Sequence, residues 1–271
     1  MRKVSILFSL LLSCIFLADA QSSQEHFKKG LALYEKADYK GAIKELNIAI
    51  EMVPAYKEAF TVRGEANDKL GDHVGAIQDL NMAIGLDSSF AMAYNARGFV
   101  KEDMGDHKGA LKDYNRAIDL DNKNAKAYFN RGLLKYNAGD KTGALPDLNM
   151  AIELDSTYTI AYKTRGTVKS EMKDNAGAIL DFSKTLELDP TDHFIYYTRG
   201  LLRAKAGDTK GALEDFDKTI ELYPENENAY YNRGNTKIKL GDKKGACLDW
   251  SIARESGITL AEDQMRKYCK D

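Results

Sequence analysis

The chain of 271 residues is 44% apolar and 30% charged with only four prolines, which excludes a disordered or collagen-like polypeptide and leaves room for a sizeable core in a helix-rich fold. Thirty-nine basic residues stand against 41 acidic ones, a formal charge of −2, so the basic footprint that nucleic acid or an anionic membrane surface would need is missing.

In chain order, Arg2 and Lys3 precede an apolar run from Val4 to Leu17, followed by Ala18-Asp19-Ala20. The run is short for a bilayer span, and its small-residue ending suits the pockets of a signal peptidase. Residues 1–20 are therefore expected to be a signal peptide, with an uncleaved anchor as the alternative. Lipid attachment at Cys14, in Leu11-Leu12-Ser13-Cys14, is a weaker reading because it would leave Ile15, Phe16 and Leu17 as an apolar mature terminus. The expectation is export to a periplasm or cell envelope, with no transmembrane segment once the signal is removed.

Beyond the signal, one unit is written seven times. Gly30, Gly64, Gly98, Gly132, Gly166, Gly200 and Gly234 recur at a step of 34 residues, and Ala42, Ala76, Ala110, Ala144, Ala178, Ala212 and Ala246 keep that step. Such a period marks a stack in which no unit can bury its own apolar face. The units are expected at 23–56, 57–90, 91–124, 125–158, 159–192, 193–226 and 227–260. In the unit 91–124, Ala93, Val100 and Met104 form one helical stripe, and Ala110, Leu111, Tyr114, Ala117 and Ile118 form a second. Gly105 is suited to close the first helix in a left-handed conformation and Asp106 to cap the second. Pro54, Pro190 and Pro224, or Ser88, Asn122 and Ser156, mark the unit ends.

The 34-residue step, the aromatic four places before the glycine (Phe60, Tyr94, Tyr128, Tyr162, Tyr196, Tyr230), the small pair Gly98 and Ala110, and the trailing Ala117 and Pro190 together resemble the tetratricopeptide repeat, across nearly all of the chain after the signal. The resemblance implies an all-α, right-handed superhelical solenoid of seven helix-turn-helix repeats, a concave groove lined by first helices, and a non-catalytic scaffold with a protein or peptide partner.

Two departures from the family pattern stand out. The place before the glycine, usually apolar, holds Arg63, Arg97, Arg131, Arg165, Arg199 and Arg233, with Lys29 in the first unit. These arginines lie on the inward stripe, where a guanidinium needs a carboxylate. Glu45, Asp79, Asp113, Asp147, Asp181, Asp215 and Asp249 share the period. An Arg–Asp ladder is expected in place of solvated charges, and the length of the arginine side chain favours pairing with the acid of the preceding unit. The second departure is Pro146, inside a second helix, where a kink or restart is expected unless it falls in the first turn; a tolerated local irregularity and a mid-array hinge are the two readings of it.

At the C-terminus, residues 259–270 are expected to form a helix that covers the last unit. Cys247 occupies a place where other units have Ile or Leu, and Cys269 lies in the covering helix; in an oxidising compartment the two are expected to bond, the alternative being two free thiols.

No catalytic motif appears. His73 and His107 occupy equivalent places beside turns and make a poor metal pair, and no cofactor is implied. The family's Lys/Asn carboxylate clamp is incomplete, since Lys163 fits but Thr167 and Thr198 replace asparagines. Carried over from the family, the groove lining is Phe99, Phe129, Leu133, Tyr136, Ile160, Phe194, Tyr197, Leu201 and Tyr231, with Lys163 to orient a ligand and polar Thr61, Glu65, Asp68 and Glu102 towards the front. Either this surface binds an extended peptide or a helix, or its aromatics pack against neighbouring first helices. Self-association into an envelope assembly is the alternative function.

Overall fold

The computed structural model describes residues 21–269, so the expected signal peptide and Cys14 lie outside the described residues. Among the described residues there are fifteen α-helices and no strand. They are α1 (21–35), α2 (Tyr39–Met52), α3 (Lys57–Lys69), α4 (His73–Leu86), α5 (Ala91–Asp103), α6 (His107–Leu120) and α7 (Ala125–Asn137), then α8 (Lys141–Leu154), α9 (Thr159–Glu171), α10 (Asn175–Leu188), α11 (His193–Ala206), α12 (Thr209–Leu222), α13 (Glu227–Lys239), α14 (Lys243–Glu255) and α15 (Leu260–Tyr268). Two compact units divide the chain, one ending at Ala138 and the other beginning at Gly139. Within each, consecutive helices pack as hairpins and each hairpin packs on the next.

Local chemistry sets the hairpin turns. Asp38, Asp72, Asp106, Asp140, Asp174, Asp208 and Asp242 each cap a second helix by accepting the N–H of the glycine three residues on. Just before the cap the chain turns left-handed, at φ +81° for Gly105 and +87° for Gly207. Two hairpins place a side chain there instead, Ala37 at φ 60° and Lys173 at φ 66°.

The core of each hairpin sits where the two helices approach most closely. A Cβ on Gly98 would lie 2.7 Å from the Tyr114 ring and 3.3 Å from the Ala110 carbonyl oxygen. At Gly30, Gly64, Gly98, Gly166, Gly200 and Gly234 the side chain sixteen residues on fills that space, and Leu46, Leu80, Tyr114, Phe182, Phe216 and Trp250 are all 0–1% exposed. Glycine thus lets a large side chain lie flat against a helix backbone at near-crystalline density.

The restart expected at Pro146 is absent: α8 runs unbroken from Lys141 to Leu154. Proline removes one N–H to the carbonyl four residues back, here that of exposed Thr142, and the rest of the ladder carries the helix through. At the end of the second unit, α15 lies on α14 with Ala261 fully buried and Tyr268 stacked 5.8 Å from Trp250. A disulfide joins Cys247 of α14 to Cys269, with Cα atoms 5.8 Å apart.

Left-handed backbone costs a residue with a Cβ about 1 kcal/mol relative to glycine. Lys173→Gly should therefore raise stability by about 0.5–1 kcal/mol in urea titration, whereas Gly207→Lys should lower it by a similar amount.

Candidate functional site

The sequence points to two features, the ladder and the first-helix face. In the ladder, Nε and Nη2 of five arginines donate to the two carboxylate oxygens of an aspartate sixteen residues on: Arg63 to Asp79 at 2.9 and 2.6 Å, Arg97 to Asp113 at 2.8 and 2.7 Å, Arg165 to Asp181 at 2.9 and 2.6 Å, Arg199 to Asp215 at 3.0 and 2.6 Å, and Arg233 to Asp249 at 2.9 and 2.7 Å. This corrects the expected register, because the acid belongs to the arginine's own hairpin. The close approach of the two helices brings the carboxylate within reach of a two-pronged contact, the strongest geometry available to a guanidinium.

The preceding hairpin supplies a different partner. Through Nη1, Arg63 donates to Asn47, Arg97 to Asn81, Arg131 to Asn115, Arg165 to Asn149, Arg199 to Ser183 and Arg233 to Asp217, at 2.6–3.0 Å. Each guanidinium also lies 5.3–5.7 Å from the centroid of the aromatic three places before it, from Phe60 to Tyr230. The first hairpin differs: Glu45 lies 2.6 Å from His26 Nδ1, and Lys29 is exposed.

A further set of donors escaped the sequence reading. Four places after the arginine, Lys101, Lys169, Arg203 and Lys237 approach the same aspartates at 2.7–3.1 Å, and Asn67 does so for Asp79. Their signal is the same 34-residue step, one turn beyond the arginine. The aspartates are 1–6% exposed, so two donors offset the loss of water around each carboxylate. Burial pushes the Asp113 carboxyl up, but hydrogen bonds from Arg97 and Lys101 outweigh it and hold the group below its ordinary value of 3.8. The same hydrogen bond to Asp113 holds the Arg97 guanidinium above its ordinary value. Repeated and enclosed in this way, the pairs are architectural.

The first-helix face divides between the two units. In the first unit Phe129 is 6% exposed, which corrects its assignment to the lining: it packs as core. Leu133 and Tyr136 are half-buried; Phe99, 36% exposed, has Lys69 Nζ 4.7 Å from its ring centroid, and Met92, at the place equivalent to Ile160, is 58% exposed. Thr61 is buried and donates to the Lys57 carbonyl. Asp68 lies 2.9 Å from His73, and burial together with Glu65 pushes the Tyr34 hydroxyl up to about 12. In the second unit the lining is open: Ile160 is 51%, Phe194 63% and Leu201 37% exposed. Tyr197 and Tyr231 are half-buried, with Asn232 donating to the Tyr197 hydroxyl at 3.1 Å. Lys163 is tied to Asp192 at 2.7 Å, so its charge is already answered. Among the described residues no group of three or more His, Cys, Asp or Glu is placed to hold a metal, and no helix is long and apolar enough to cross a membrane.

Comparison with known proteins agrees with this arrangement. The family described as "TPR repeat" matches residues 103–139, and the family described as "Tetratricopeptide repeat" matches residues 27–89 and 197–250. No curated protein matches the chain. Among solved structures, the C-terminal part of a TPR repeat-containing protein from Cytophaga hutchinsonii is 20% identical, with a TM-score of 0.66 over 88% of this chain and 98% of that one. A tetratricopeptide repeat protein from Parabacteroides merdae is 21% identical, with a TM-score of 0.55 over 92% of this chain and 100% of that one. YrrB, described as a TPR protein with an unusual peptide-binding site, is 24% identical, with a TM-score of 0.55 over 68% of this chain and 95% of that one. At these identities the likeness is one of fold.

Two outcomes follow for the ladder. Arg165→Met leaves the buried Asp181 with Lys169 alone and should cost about 3 kcal/mol in chemical denaturation, whereas Lys184→Ala, which removes an exposed pair with Glu187, should leave the denaturation midpoint unchanged. Because the folded Asp113 has a lowered pKa, its contribution is present above the ordinary value of 3.8 and is lost as pH falls through the folded value. Thermal melts should show the melting temperature falling steeply below about pH 4, and less steeply in Asp113→Asn.

Proposed function

The chain belongs to the tetratricopeptide repeat family, and on that premise we propose that it is a non-catalytic protein-interaction scaffold, exported to a periplasm or cell envelope, that holds a peptide or helix of a partner against the first helices of its second unit. The observation that carries this reading is the exposure of Ile160 and Phe194, 51% and 63%, at corresponding places on α9 and α11, with Leu201, 37% exposed, two turns further along α11. Leaving such side chains in water is unfavourable, and aromatic anchors flanked by half-buried Tyr197 and Tyr231 are what a bound apolar segment would use. Charge plays little part there, since Lys163 is paired with Asp192. YrrB offers a parallel in its described peptide-binding site. Export rests on the sequence of residues 1–20, and the Cys247–Cys269 bond suits an oxidising compartment.

Cross-linking of the mature protein in an envelope extract, followed by identification of the adducts, tests this reading. Phe194→Ala with Leu201→Ala should abolish an adduct that survives Leu180→Ala, a substitution of a 71% exposed side chain on α10. Adducts that persist in the double variant, with its helix content unchanged, would refute the assignment of the binding face.

A further inference from the structure

On the second helices of the first unit lies a charge feature that neither the ladder nor the first-helix face uses. Lys108, Lys112 and Arg116 follow one another at four-residue intervals along α6, all exposed. Among the described residues none of the three has an ion-pair partner, and Arg116 instead lies 5.9 Å from the centroid of the Tyr94 ring. Together with Tyr94, Leu111 and Asn115 they line an open pocket of about 640 Å³. Arg97, Asp113 and Asp119 also line it; Arg97 and Asp113 neutralise each other, which leaves three cations against the single carboxylate of Asp119.

Like charges four residues apart oppose helix formation, so the stripe works against the stability of its own helix. Among the described residues no other second helix has cations at all three places. Helix α2 comes nearest with Lys40 and Lys44 before Ile48, while the corresponding places hold Val74, Gln78 and Met82 on α4, Lys210, Glu214 and Lys218 on α12, and Lys244, Leu248 and Ile252 on α14. Helix α4 lies alongside, because Arg97 joins its Asn81 to Asp113 of α6. There Val74 and Met82 are 63% and 51% exposed. Neighbouring hairpins thus carry a cationic stripe on α6 and uncharged, exposed apolar side chains at the equivalent places of α4.

We infer that this surface docks an acidic, amphipathic segment of a partner protein, whose carboxylates answer Lys108, Lys112 and Arg116 while its apolar side chains rest on Val74, Met82 and Tyr94. Charge complementarity selects this occupant, and carboxylates at helical i, i+4 spacing match the interval of the cations. A nucleic acid or lipid surface fits less well: three cations are few for a phosphate array, and the whole chain carries a formal charge of −2. The surface is distinct from the exposed face of the second unit, so its test stands apart from the proposal made for that face.

The experiment is calorimetric titration of the mature protein with a synthetic helical peptide of about 20 residues carrying Glu at every fourth place beside a row of Leu, against a matched peptide with Lys for Glu. The acidic peptide should bind and the basic one should not. Affinity should weaken about tenfold or more between about 50 and 300 mM salt. In Lys108→Glu/Lys112→Glu/Arg116→Glu it should fall at least about tenfold, while Lys210→Glu/Lys218→Glu on α12 stays within about twofold of wild type. If the triple variant does not fold, the single Lys112→Gln replaces it, with a loss of about threefold expected and an unchanged affinity counting against the inference. Absence of binding by the acidic peptide, an equal loss in the α12 variant, or tighter binding to phosphatidylglycerol vesicles or duplex DNA would overturn it.

Discussion

The guanidinium groups of Arg63, Arg97, Arg165, Arg199 and Arg233 are each held between two hairpins, and the stacking within each unit depends on that arrangement. A cation removed from water must recover what hydration gave it, and a neutral surface cannot do so. The two-pronged contact with the buried aspartate of its own hairpin supplies most of the recovery. The remaining donor, Nη1, is left pointing at the hairpin before, where Asn47, Asn81, Asn115, Asn149, Ser183 or Asp217 accepts it. The same side chain therefore closes a hairpin and fixes the spacing to its neighbour, which an apolar residue at that place would do only through shape.

The ladder and the core are set by one geometric constraint. Glycine at the crossing brings the helices close enough for a bidentate contact, and the residue next to the aspartate, from Leu46 to Trp250, fills the space the missing Cβ leaves. Ion pair and core residue are neighbours in sequence on the second helix, so a shift of one would displace the other. Coupling of this kind makes contributions non-additive within a hairpin, while hairpins that share no contact behave independently.

The period, the paired helices and the turn chemistry could be read from residue identity alone, because Gly, Asp and the apolar stripes act through local geometry. Partner choice in the ladder could not. Which acid an arginine meets depends on the helix crossing distance, and reach alone pointed to the wrong hairpin. The second cation at each aspartate was hidden for a related reason: Lys101 and its counterparts look like ordinary solvated helix charges until Asp113 and its counterparts prove to be buried. Phe129 and Phe194 show the same limit for the first-helix face. Both are aromatic residues of first helices, yet Phe129, fifth in its unit, is core while Phe194, second in its unit, is 63% exposed, so aromatic character alone does not mark the open face.

The bond between Cys247 and Cys269 ties down the foot of a short helix. A nine-residue helix has little cohesion of its own and would ordinarily fray, leaving Trp250 and Ala253 facing water. Fastened to α14 at its last turn, α15 can loosen only together with the hairpin it covers, so the lid and the core beneath it open as one.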